Sequence, residues 1–342
     1  MHPVSVSNQD DQLARFALAG QARDVVKAWV DGAQVLSLVT ALRNKGWTTY
    51  LTEPRTLDAL TAFSGLPPER VADLVGALEA NGVVTYDETV QLTDSFAALV
   101  ADDAYIGLDD ALDQSELLTR MVRTAAENPG PLPLSAPDAL VTARATGGKA
   151  SPVTRALYDK LFLPQIPELA ELIHTDRFLD VGCGVAGATT TLAGLFPDLR
   201  GTALELIPTV AAETQRRINA LGVGDRVDLK VMDARDFDEK DAFGSAFWAQ
   251  PFFPAETRQA TLEMILRALR PGGILFVQEM EPVPDEAGRP SYALRKLVAQ
   301  GWGVPFGRTA EELTEEAVAV GFELIRIAQT DFGRMVLVGR PL

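Results

Sequence analysis

An apolar run that turns through three glycines constrains the fold of this chain more than any other stretch. Residues 178–187 read Phe-Leu-Asp-Val-Gly-Cys-Gly-Val-Ala-Gly. This order predicts a buried strand, a tight turn and a helix that begins near Ala188. Glycine is needed where a side chain would block a ligand's approach to the backbone, or where φ is positive. The run predicts a loop that holds a nucleotide-type cofactor, although an ordinary strand-to-helix turn would also fit it in isolation.

Acidic residues end the next two predicted strands. Glu205 ends the apolar segment 200–206, roughly twenty residues past the first glycine, where an open α/β sheet presents an acid to ribose hydroxyls. Asp233 ends a segment of alternating apolar residues that starts at Arg226, and Phe237 follows it. These positions predict contacts to a ribose and to an adenine.

The segments that follow the glycine loop argue against a dinucleotide dehydrogenase. A fourth strand is predicted at 244–248 and a helix at 255–269. Arg-Pro-Gly-Gly then leads into an apolar strand at 274–279, which ends in Glu279. Dinucleotide dehydrogenases do not normally carry this order of helix, Leu-Arg-Pro-Gly-Gly and strand.

Together these residues resemble the class I S-adenosylmethionine-dependent methyltransferases. Asp180 and the loop 182–187 correspond to that family's first motif, with Glu205 as the ribose acid and Asp233 as the adenine-side acid. The family usually has its third glycine where this chain has Ala186, which is a small steric change. The resemblance implies S-adenosyl-L-methionine as the cofactor. The cofactor-binding residues that it implies are Asp180, Gly182, Gly184, Gly187, Glu205, Asp233, Ala234, Phe247 and Trp248.

Composition narrows the class of partner. The formal charge of −16 at pH 7 would repel a phosphate backbone, so we expect a small-molecule partner and no nucleic acid. The single cysteine, Cys183, cannot form an intramolecular disulfide and fits a reducing compartment. With His2 and His174 as the two histidines, no metal site is expected. The start of the chain resembles no secretion signal and no uncharged apolar run reaches eighteen residues, so we expect a cytoplasmic protein with no membrane contact.

The first hundred residues read mainly as helices. Residues 23–42 carry apolar side chains at near-helical spacing, which predicts a largely buried helix. Short helices at 56–64 and 67–81 and a two-stranded wing at 83–92 follow. This order resembles a winged helix-turn-helix.

A winged-helix unit allows two functions. One is DNA binding, in a regulator whose methyltransferase-like half senses a ligand. The helix that would enter the groove carries Glu69, Arg70, Asp73 and Glu79, which is the wrong net charge for phosphate contact. We expect dimerisation instead, because the same module serves that role in the small-molecule O-methyltransferases of plants and actinobacteria that the chain resembles. The resemblance therefore implies a homodimer.

The predicted domains are a winged-helix-like dimerisation domain at 1–100, a helical connector and linker at 101–150, and an S-adenosylmethionine-binding methyltransferase domain at 151–342. Proline and glycine are dense in 127–149, which we interpret as a loop or linker. A closing hairpin is expected within 321–338. The predicted fold class is α/β, with a Rossmann-like seven-stranded class I methyltransferase domain after a mainly helical one.

The chain lacks the base of the family that it resembles. Two-domain O-methyltransferases carry a His-Asp-Trp triplet after the fourth strand, and its histidine takes the proton from a phenol. In the family a tryptophan precedes the triplet. When that tryptophan is aligned with Trp248, the His-Asp-Trp triplet falls on Pro-Phe-Phe at 251–253. No histidine follows His174, so a shift of the alignment does not restore the base. Methyl transfer is an in-line displacement. Holding the acceptor in line with the methyl group can therefore supply much of the rate enhancement, with an effective molarity of ~10⁵ M or more. A general base matters only when the acceptor keeps its proton.

Three explanations for the missing histidine remain open. The first is an acceptor that is nucleophilic without help, such as an amine, a thiol, an enolate or an acidic phenol. The second is a carboxylate that replaces the histidine. The third is a non-methylating reaction that uses the bound sulfonium. For the second explanation Glu279 is the candidate base, and Glu281 is a weaker one. Gln250 could orient an acceptor oxygen. Glu279 and Gln250 are thus the candidate catalytic residues.

The acceptor pocket is expected at the carboxyl ends of the strands, where open α/β sheets bind ligands. The segment Gln-Pro-Phe-Phe-Pro at 250–254 suits an apolar, partly flat acceptor. In the resembling family the helix that approaches the first motif also lines this pocket, and residues 292–307 are predicted to cover it. The candidate pocket residues are Tyr158, Phe162, Phe252, Phe253 and Trp302, with core packing as the competing interpretation. We expect methyl transfer to the oxygen or carbon of a secondary metabolite.

Overall fold

The computed structural model describes residues 6–342, with side chains from residue 11 onward, and the chain divides into two units, Met1–Ala101 and Asp102–Leu342. The first unit is helical except for one antiparallel hairpin. Its elements are α1 (Val6–Asn44), α2 (Trp47–Tyr50), α3 (Leu57–Ser64), α4 (Pro68–Ala80), β1 (Val84–Tyr86), β2 (Val90–Leu92) and α5 (Asp94–Val100). The predicted pair of short helices followed by a two-stranded wing is present.

Local sequence explains the ends of α3 and α4. The Thr56 hydroxyl accepts the Ala59 N–H at 3.2 Å and caps α3, which ends at Gly65 with φ +68°. Pro68 stands at the first position of α4, where no N–H donor is needed. Leu60 and Val71 are fully buried and lie in the small core of this unit.

The first helix is far more exposed than its sequence predicts. Val25 is 51% exposed and Trp29 is 68% exposed, whereas Val39 and Leu42, near the end of α1, are buried. Part of this helix, within 11–44, is apolar and long enough to cross a membrane by length and composition alone, and 17% of that window is buried. The helix itself is correctly predicted, but the prediction of a largely buried helix is wrong for a single chain. Its apolar side chains find too few partners within one copy.

The second unit is a layered α/β structure. Its helices are α6 (Leu108–Glu127), α7 (Ala136–Gly147), α8 (Pro152–Leu157), α9 (Pro167–Thr175), α10 (Gly187–Leu195), α11 (Pro208–Leu221), α12 (Ala255–Ala268), α13 (Arg289–Trp302) and α14 (Ala310–Ala319). Its strands are β3 (Phe178–Val181), β4 (Gly201–Glu205), β5 (Val227–Val231), β6 (Phe243–Trp248), β7 (Leu269–Gln278), β8 (Glu323–Thr330) and β9 (Gly333–Gly339).

These strands form a seven-stranded sheet in the order β5-β4-β3-β6-β7-β9-β8. The first five are parallel, and β9 lies antiparallel between β7 and β8. The predicted α/β fold class with its closing hairpin is confirmed. Because β3 pairs with β4 on one side and with β6 on the other, strand order reverses at β3, and a crevice is expected at its carboxyl end.

Helices cover both faces of the sheet, so its central strands are buried on both faces and mainly apolar. All residues of β3 and β4 are buried. Side chains alternate between the faces, and Phe178 therefore belongs to one core cluster while Leu179 belongs to the other.

The predicted linker at 127–149 contains a helix, α7, which corrects the interpretation of that segment as a loop. The Ser135 hydroxyl accepts the Asp138 N–H at 3.3 Å and caps the helix, and Pro137 lies in its first turn. Gly148 stands at its other end. Proline and glycine in this segment therefore mark the two ends of a helix, and the loop is confined to residues 128–135 and 148–149.

Candidate cofactor and acceptor site

A cavity of about 380 Å³ opens at the carboxyl ends of strands β3 to β7. Its volume is within the range of small-molecule sites. All of the predicted cofactor-binding residues line it: Asp180, Gly182, Gly184, Gly187, Glu205, Asp233, Ala234, Phe247 and Trp248. Four of the predicted acceptor residues also line it, namely Tyr158, Phe252, Phe253 and Trp302. The fold therefore brings most of the predicted site together at the switch point of the sheet.

The glycine loop is built from alternate residues in the left-handed region. Gly182, Gly184 and Ala186 have φ values of 73°, 54° and 53°. Ala186 therefore takes the conformation for which the family uses glycine, at a cost of roughly 1–2 kcal/mol. A Cβ on Gly187 would lie 1.4 Å from the Gly147 carbonyl oxygen, so this glycine lets α10 pack against the end of α7.

Backbone amides hold the Glu205 carboxylate at the tip of β4. Its two oxygens accept the Gly184 N–H at 3.0 Å and the Ile207 N–H at 2.8 Å. Burial raises the pKa of Glu205, and these backbone hydrogen bonds oppose that rise. Each carboxylate oxygen can accept a further hydrogen bond, so the group is positioned to receive two hydroxyls.

Asp180 ends near the same point, at the base of the loop. It is 2% exposed, and the Thr189 hydroxyl donates a 2.5 Å hydrogen bond to its carboxylate. Burial raises its pKa to about 6; the bond from Thr189 opposes this rise and the charge of Glu205 adds to it. Two buried acids thus share one end of the cavity.

Charge in the cavity is unbalanced. Among the described residues that line it, Arg235 is the one cationic side chain, and its guanidinium pairs with Asp233 at 2.7 Å. Asp233 also accepts the Arg235 N–H at 2.9 Å, and this neighbour lowers the pKa of Asp233. No protein cation in the lining is therefore left for Asp180 and Glu205, which suits a positively charged ligand.

Aromatic side chains form another part of the lining, and Phe253 packs close to Gly182 of the loop. Trp248 packs edge-on against Phe253 with ring centroids 5.5 Å apart, and Phe252 lies 5.9 Å from Trp302. The Arg258 guanidinium stacks 4.6 Å from the Trp248 ring. The prediction that residues 292–307 contribute to the pocket agrees with the position of Trp302 at the end of α13.

Gln250 does not line the cavity, which corrects its predicted role as an orienting group. Its side chain is 2% exposed and donates to the Gln278 carbonyl at 3.3 Å. Arg258 donates to the Gln250 side-chain oxygen at 3.1 Å and to its carbonyl at 2.8 Å. Gln250 and Arg258 thus hold the turn at 250–252 in place.

Glu279 is also directed away from the cavity, which corrects its predicted role as a base. Its carboxylate pairs with the Arg334 guanidinium at 2.5 and 2.8 Å. Gln278 and Met280, its neighbours in the chain, line the cavity instead. Side chains alternate along an extended chain, so Gln278 and Met280 share one face and Glu279 points to the other.

Phe162 lies beside the main cavity instead of in it. Its ring packs against Tyr158 at 5.1 Å and against Phe332 at 5.5 Å, and it lines a smaller neighbouring chamber. Tyr158 lines both spaces, and burial raises the pKa of its hydroxyl.

Sequence reasoning missed one wall of the site. Thr142, Ala143 and Thr146 of α7 line the cavity, as does Tyr105. The N-terminal cap at Ser135 was the signal that could have identified this helix. Tyr105 stands alone in an acidic segment and has no comparable signal.

Comparison with known proteins agrees with this geometry. Residues 178–273 match the family described as "Methyltransferase domain". Over 110 residues the chain is 32% identical to a carboxy-S-adenosyl-L-methionine synthase of Chromohalobacter salexigens, covering 31% of this chain and 41% of that protein. The synthase of Psychrobacter arcticus is 33% identical over 117 residues, covering 33% and 44%. The chain thus spans less than half the length of these two curated relatives.

Solved structures match nearly the whole chain. An O-methyltransferase family protein from Burkholderia thailandensis superimposes with a TM-score of 0.71 at 16% identity, covering 94% of this chain and 98% of that one. Mitomycin 7-O-methyltransferase superimposes with a TM-score of 0.65 at 21% identity, covering 95% of this chain and 99% of that one. Human N-acetylserotonin methyltransferase, in complex with S-adenosylmethionine, gives 0.69 at 15% identity, covering 94% and 98%. These matches confirm the predicted resemblance: the chain has the two-domain fold of the class I S-adenosylmethionine-dependent O-methyltransferases, and residues 178–273 match the methyltransferase-domain family.

Proposed function

We propose that this protein transfers a methyl group from S-adenosyl-L-methionine to an oxygen or carbon of a small molecule, mainly by positioning the two reactants. One observation carries the proposal: two buried acids, Asp180 and Glu205, share a cavity in which Arg235, the one cation among the described lining residues, is already paired with Asp233. A sulfonium ligand that also carries an ammonium group supplies the missing positive charge.

The residues present fit this cofactor. Glu205 would accept hydrogen bonds from the ribose hydroxyls, and Asp180 would face the ammonium group. Asp233 and Ala234, which follow β5, would lie beside the adenine. When bound, the cofactor supplies a methyl group already activated by the sulfonium. Solved structures of similar fold contain S-adenosylmethionine or S-adenosylhomocysteine, which supports the assignment.

Apart from Asp180, Glu205, Asp233 and Arg235, the described residues that line the cavity are uncharged, and Tyr105, Tyr158 and Thr142 among them carry hydroxyls. Because burial raises the pKa of Tyr158, its hydroxyl stays protonated and acts as a donor. No histidine is among the described residues that line the cavity, and Glu279 faces Arg334. This arrangement favours an acceptor that is nucleophilic without help, such as an enolate, an amine, a thiol or an acidic phenol.

A non-methylating reaction is the alternative that the sequence comparisons raise. The curated relatives over the cofactor-binding segment are named as carboxy-S-adenosyl-L-methionine synthases. A reaction that handles a carboxylate needs a cation to hold it. The Arg235 guanidinium is engaged by Asp233, and this observation favours methyl transfer.

We also propose a homodimer formed through the first unit, in a cytoplasmic protein. The exposed apolar face of α1 supports dimerisation. The exposed residues Glu69, Asp73 and Glu79 outnumber Arg70 on α4, which argues against a DNA-binding regulator. Structural neighbours that include a mitomycin 7-O-methyltransferase and an enzyme from neocarzinostatin biosynthesis support an acceptor from secondary metabolism.

Product analysis tests the proposal. Purified protein is incubated with S-adenosylmethionine and a panel of phenols, enols, amines and thiols, and products are identified by mass spectrometry. Methylated acceptor and S-adenosylhomocysteine in equal amounts are expected, with both lost in the Glu205→Ala variant. A modified sulfonium without any methylated acceptor would contradict methyl transfer and support the alternative.

A further inference from the structure

A second chamber of about 180 Å³ adjoins the cofactor cavity. Tyr105, Tyr158, Phe247 and Met280 line both spaces. The two spaces are therefore neighbours that share part of their lining.

Most of the other walls of this chamber come from the hydrophobic core, from side chains that are each 5% exposed or less, namely Ile166, Leu169, Phe178, Leu192, Phe276 and Met335. Phe162, which is 9% exposed, and Phe332, which is 37% exposed, also line it. The polar side chains of the chamber, Tyr105, Thr146, Tyr158 and Gln278, all lie on the side that it shares with the cofactor cavity. The Thr146 hydroxyl donates to the Thr142 carbonyl at 2.9 Å, and the Gln278 amide donates to the Phe332 carbonyl at 2.6 Å. A stable water needs two to four polar partners, so the part of the chamber away from the cofactor cavity suits an apolar group better than water.

Its size is also that of a binding site. Core side chains normally interdigitate with few voids larger than a water molecule. An apolar cavity of roughly 150 Å³ is large enough to stay dry and bind benzene. This chamber is larger, so it can hold a substituent somewhat bigger than one aromatic ring.

The chamber borders the cofactor cavity on the side of β6 and β7, and none of its described lining residues belongs to β4 or β5. Glu205 on β4 and Asp233 after β5 would hold the adenosine, which directs the methyl group toward β3 and β6. Phe247 lies on β6 and Met280 follows β7, and both border the chamber. An acceptor at the methyl group would therefore lie against the entrance of the chamber.

We propose that this chamber binds an apolar tail of the acceptor, so that the substrate class is a phenol, enol or amine with an uncharged alkyl or aryl substituent. The identity of the ligand as an acceptor rests on the proposed function, whereas the binding of an apolar group in the chamber does not. Tyr158 is placed between the reacting group and the tail.

A chain-length series tests the proposal. Protein with and without saturating S-adenosylhomocysteine is titrated by calorimetry with 4-n-alkylphenols from methyl to octyl. Affinity should rise about fourfold per methylene, as expected for buried CH₂ groups, until the chamber is full. Beyond that chain length the affinity should reach a plateau. Leu169→Phe narrows the chamber, so the plateau should begin at a shorter alkyl chain. Leu169→Ala widens it and should move the plateau to longer ones.

Leu172→Phe is the matched control, because it lies on the same helix, packs against the same core and does not line the chamber. It should keep the wild-type plateau. Affinity that does not change with chain length, or a plateau that neither Leu169 variant moves, would overturn the proposal. If thermal denaturation shows that Leu169→Phe is not folded, the Leu169→Ala variant and the wild-type series still test the proposal. Loss of S-adenosylhomocysteine binding would contradict the proposed function alone, since the series without it still measures the chamber.

Discussion

The Thr189 hydroxyl, in the first turn of α10, donates a 2.5 Å hydrogen bond to the buried carboxylate of Asp180 at the end of β3. This bond ties the strand to the helix across the glycine loop. It is the one side-chain hydrogen bond that the described residues give Asp180, which has no cation beside it. The ligand-free protein therefore keeps an acid whose charge is not compensated.

Replacement of Asp180 by asparagine should raise stability at neutral pH in the ligand-free protein. Burial raises the pKa of Asp180 from 3.8 to about 6, so the folded chain binds this proton more tightly than the unfolded chain. The contribution of Asp180 to stability is thus present below pH 4 and is lost as the pH rises to about 6. The shift corresponds to at most about 3 kcal/mol. Urea denaturation of both proteins from pH 4 to 8 measures the difference.

The Asp233→Asn variant is a control of opposite sign. The Arg235 guanidinium lowers the pKa of Asp233, so this acid stabilises the fold above pH 4, and its replacement should lower stability there. A stability difference between wild type and Asp180→Asn that does not change with pH would contradict the account of Asp180.

Replacement of Glu205 by alanine should weaken cofactor binding at least tenfold. The change removes hydrogen bonds to a charged acceptor, each contributing roughly 1.5–3 kcal/mol. Calorimetry with S-adenosylhomocysteine measures the effect. Glu239→Gln is the control, because this acid pairs with Arg177 outside the cavity and its loss should leave the affinity unchanged. Equal affinity of wild type and Glu205→Ala would remove Glu205 from the site.

Replacement of Glu279 by glutamine should lower stability and leave turnover unchanged. The carboxylate pairs with Arg334, which also contacts Glu311 and is one-third exposed, so we expect a loss of about 1–2 kcal/mol in the free energy of unfolding. Denaturation and the pH–rate profile on any acceptor found are the measurements. Glu168→Gln, which breaks the pair with Arg326 outside the cavity, is the matched control for the loss of an ion pair without loss of turnover. A tenfold fall in turnover at constant cofactor affinity would restore Glu279 as the base.

Glu279, which pairs with Arg334 and does not line the cavity, illustrates how far the sequence could predict this site. Residues that belong to the strand ends, such as Asp180, Glu205 and Asp233, were identified because a parallel sheet brings those ends together. The direction of Glu279 depends on the pleat beyond the end of β7 and on Arg334, which is distant in sequence. Neither can be read from a local pattern.

Two other differences have similar causes. Proline and glycine near α7 indicated a loop, because the residues that bound a helix are also those that break one. The apolar spacing of α1 predicted a helix correctly but not what covers it. A hydrophobic pattern reports that a face will be buried and does not say in which copy of the chain the partner lies.

Replacement of Trp29 by lysine should convert a dimer to a monomer. This side chain is 68% exposed on α1, and loss of a tryptophan from the centre of an interface commonly costs at least about 2 kcal/mol, or roughly thirtyfold in affinity. Light scattering after size-exclusion chromatography measures the mass. Asp31→Lys places the same residue at a polar position of α1 and should remain dimeric. A monomeric wild-type protein, or wild-type protein that floats with lipid vesicles, would contradict the homodimer.

The most direct test of the account is a calorimetric titration of the purified protein with S-adenosylmethionine and with S-adenosylhomocysteine. We predict that both bind at one site per chain with micromolar Kd. Because Asp180 must be ionised to face a cation, we also predict that affinity falls about tenfold per pH unit below pH 6. Absence of binding by either molecule would contradict the assignment of this cavity as a methyl-donor site.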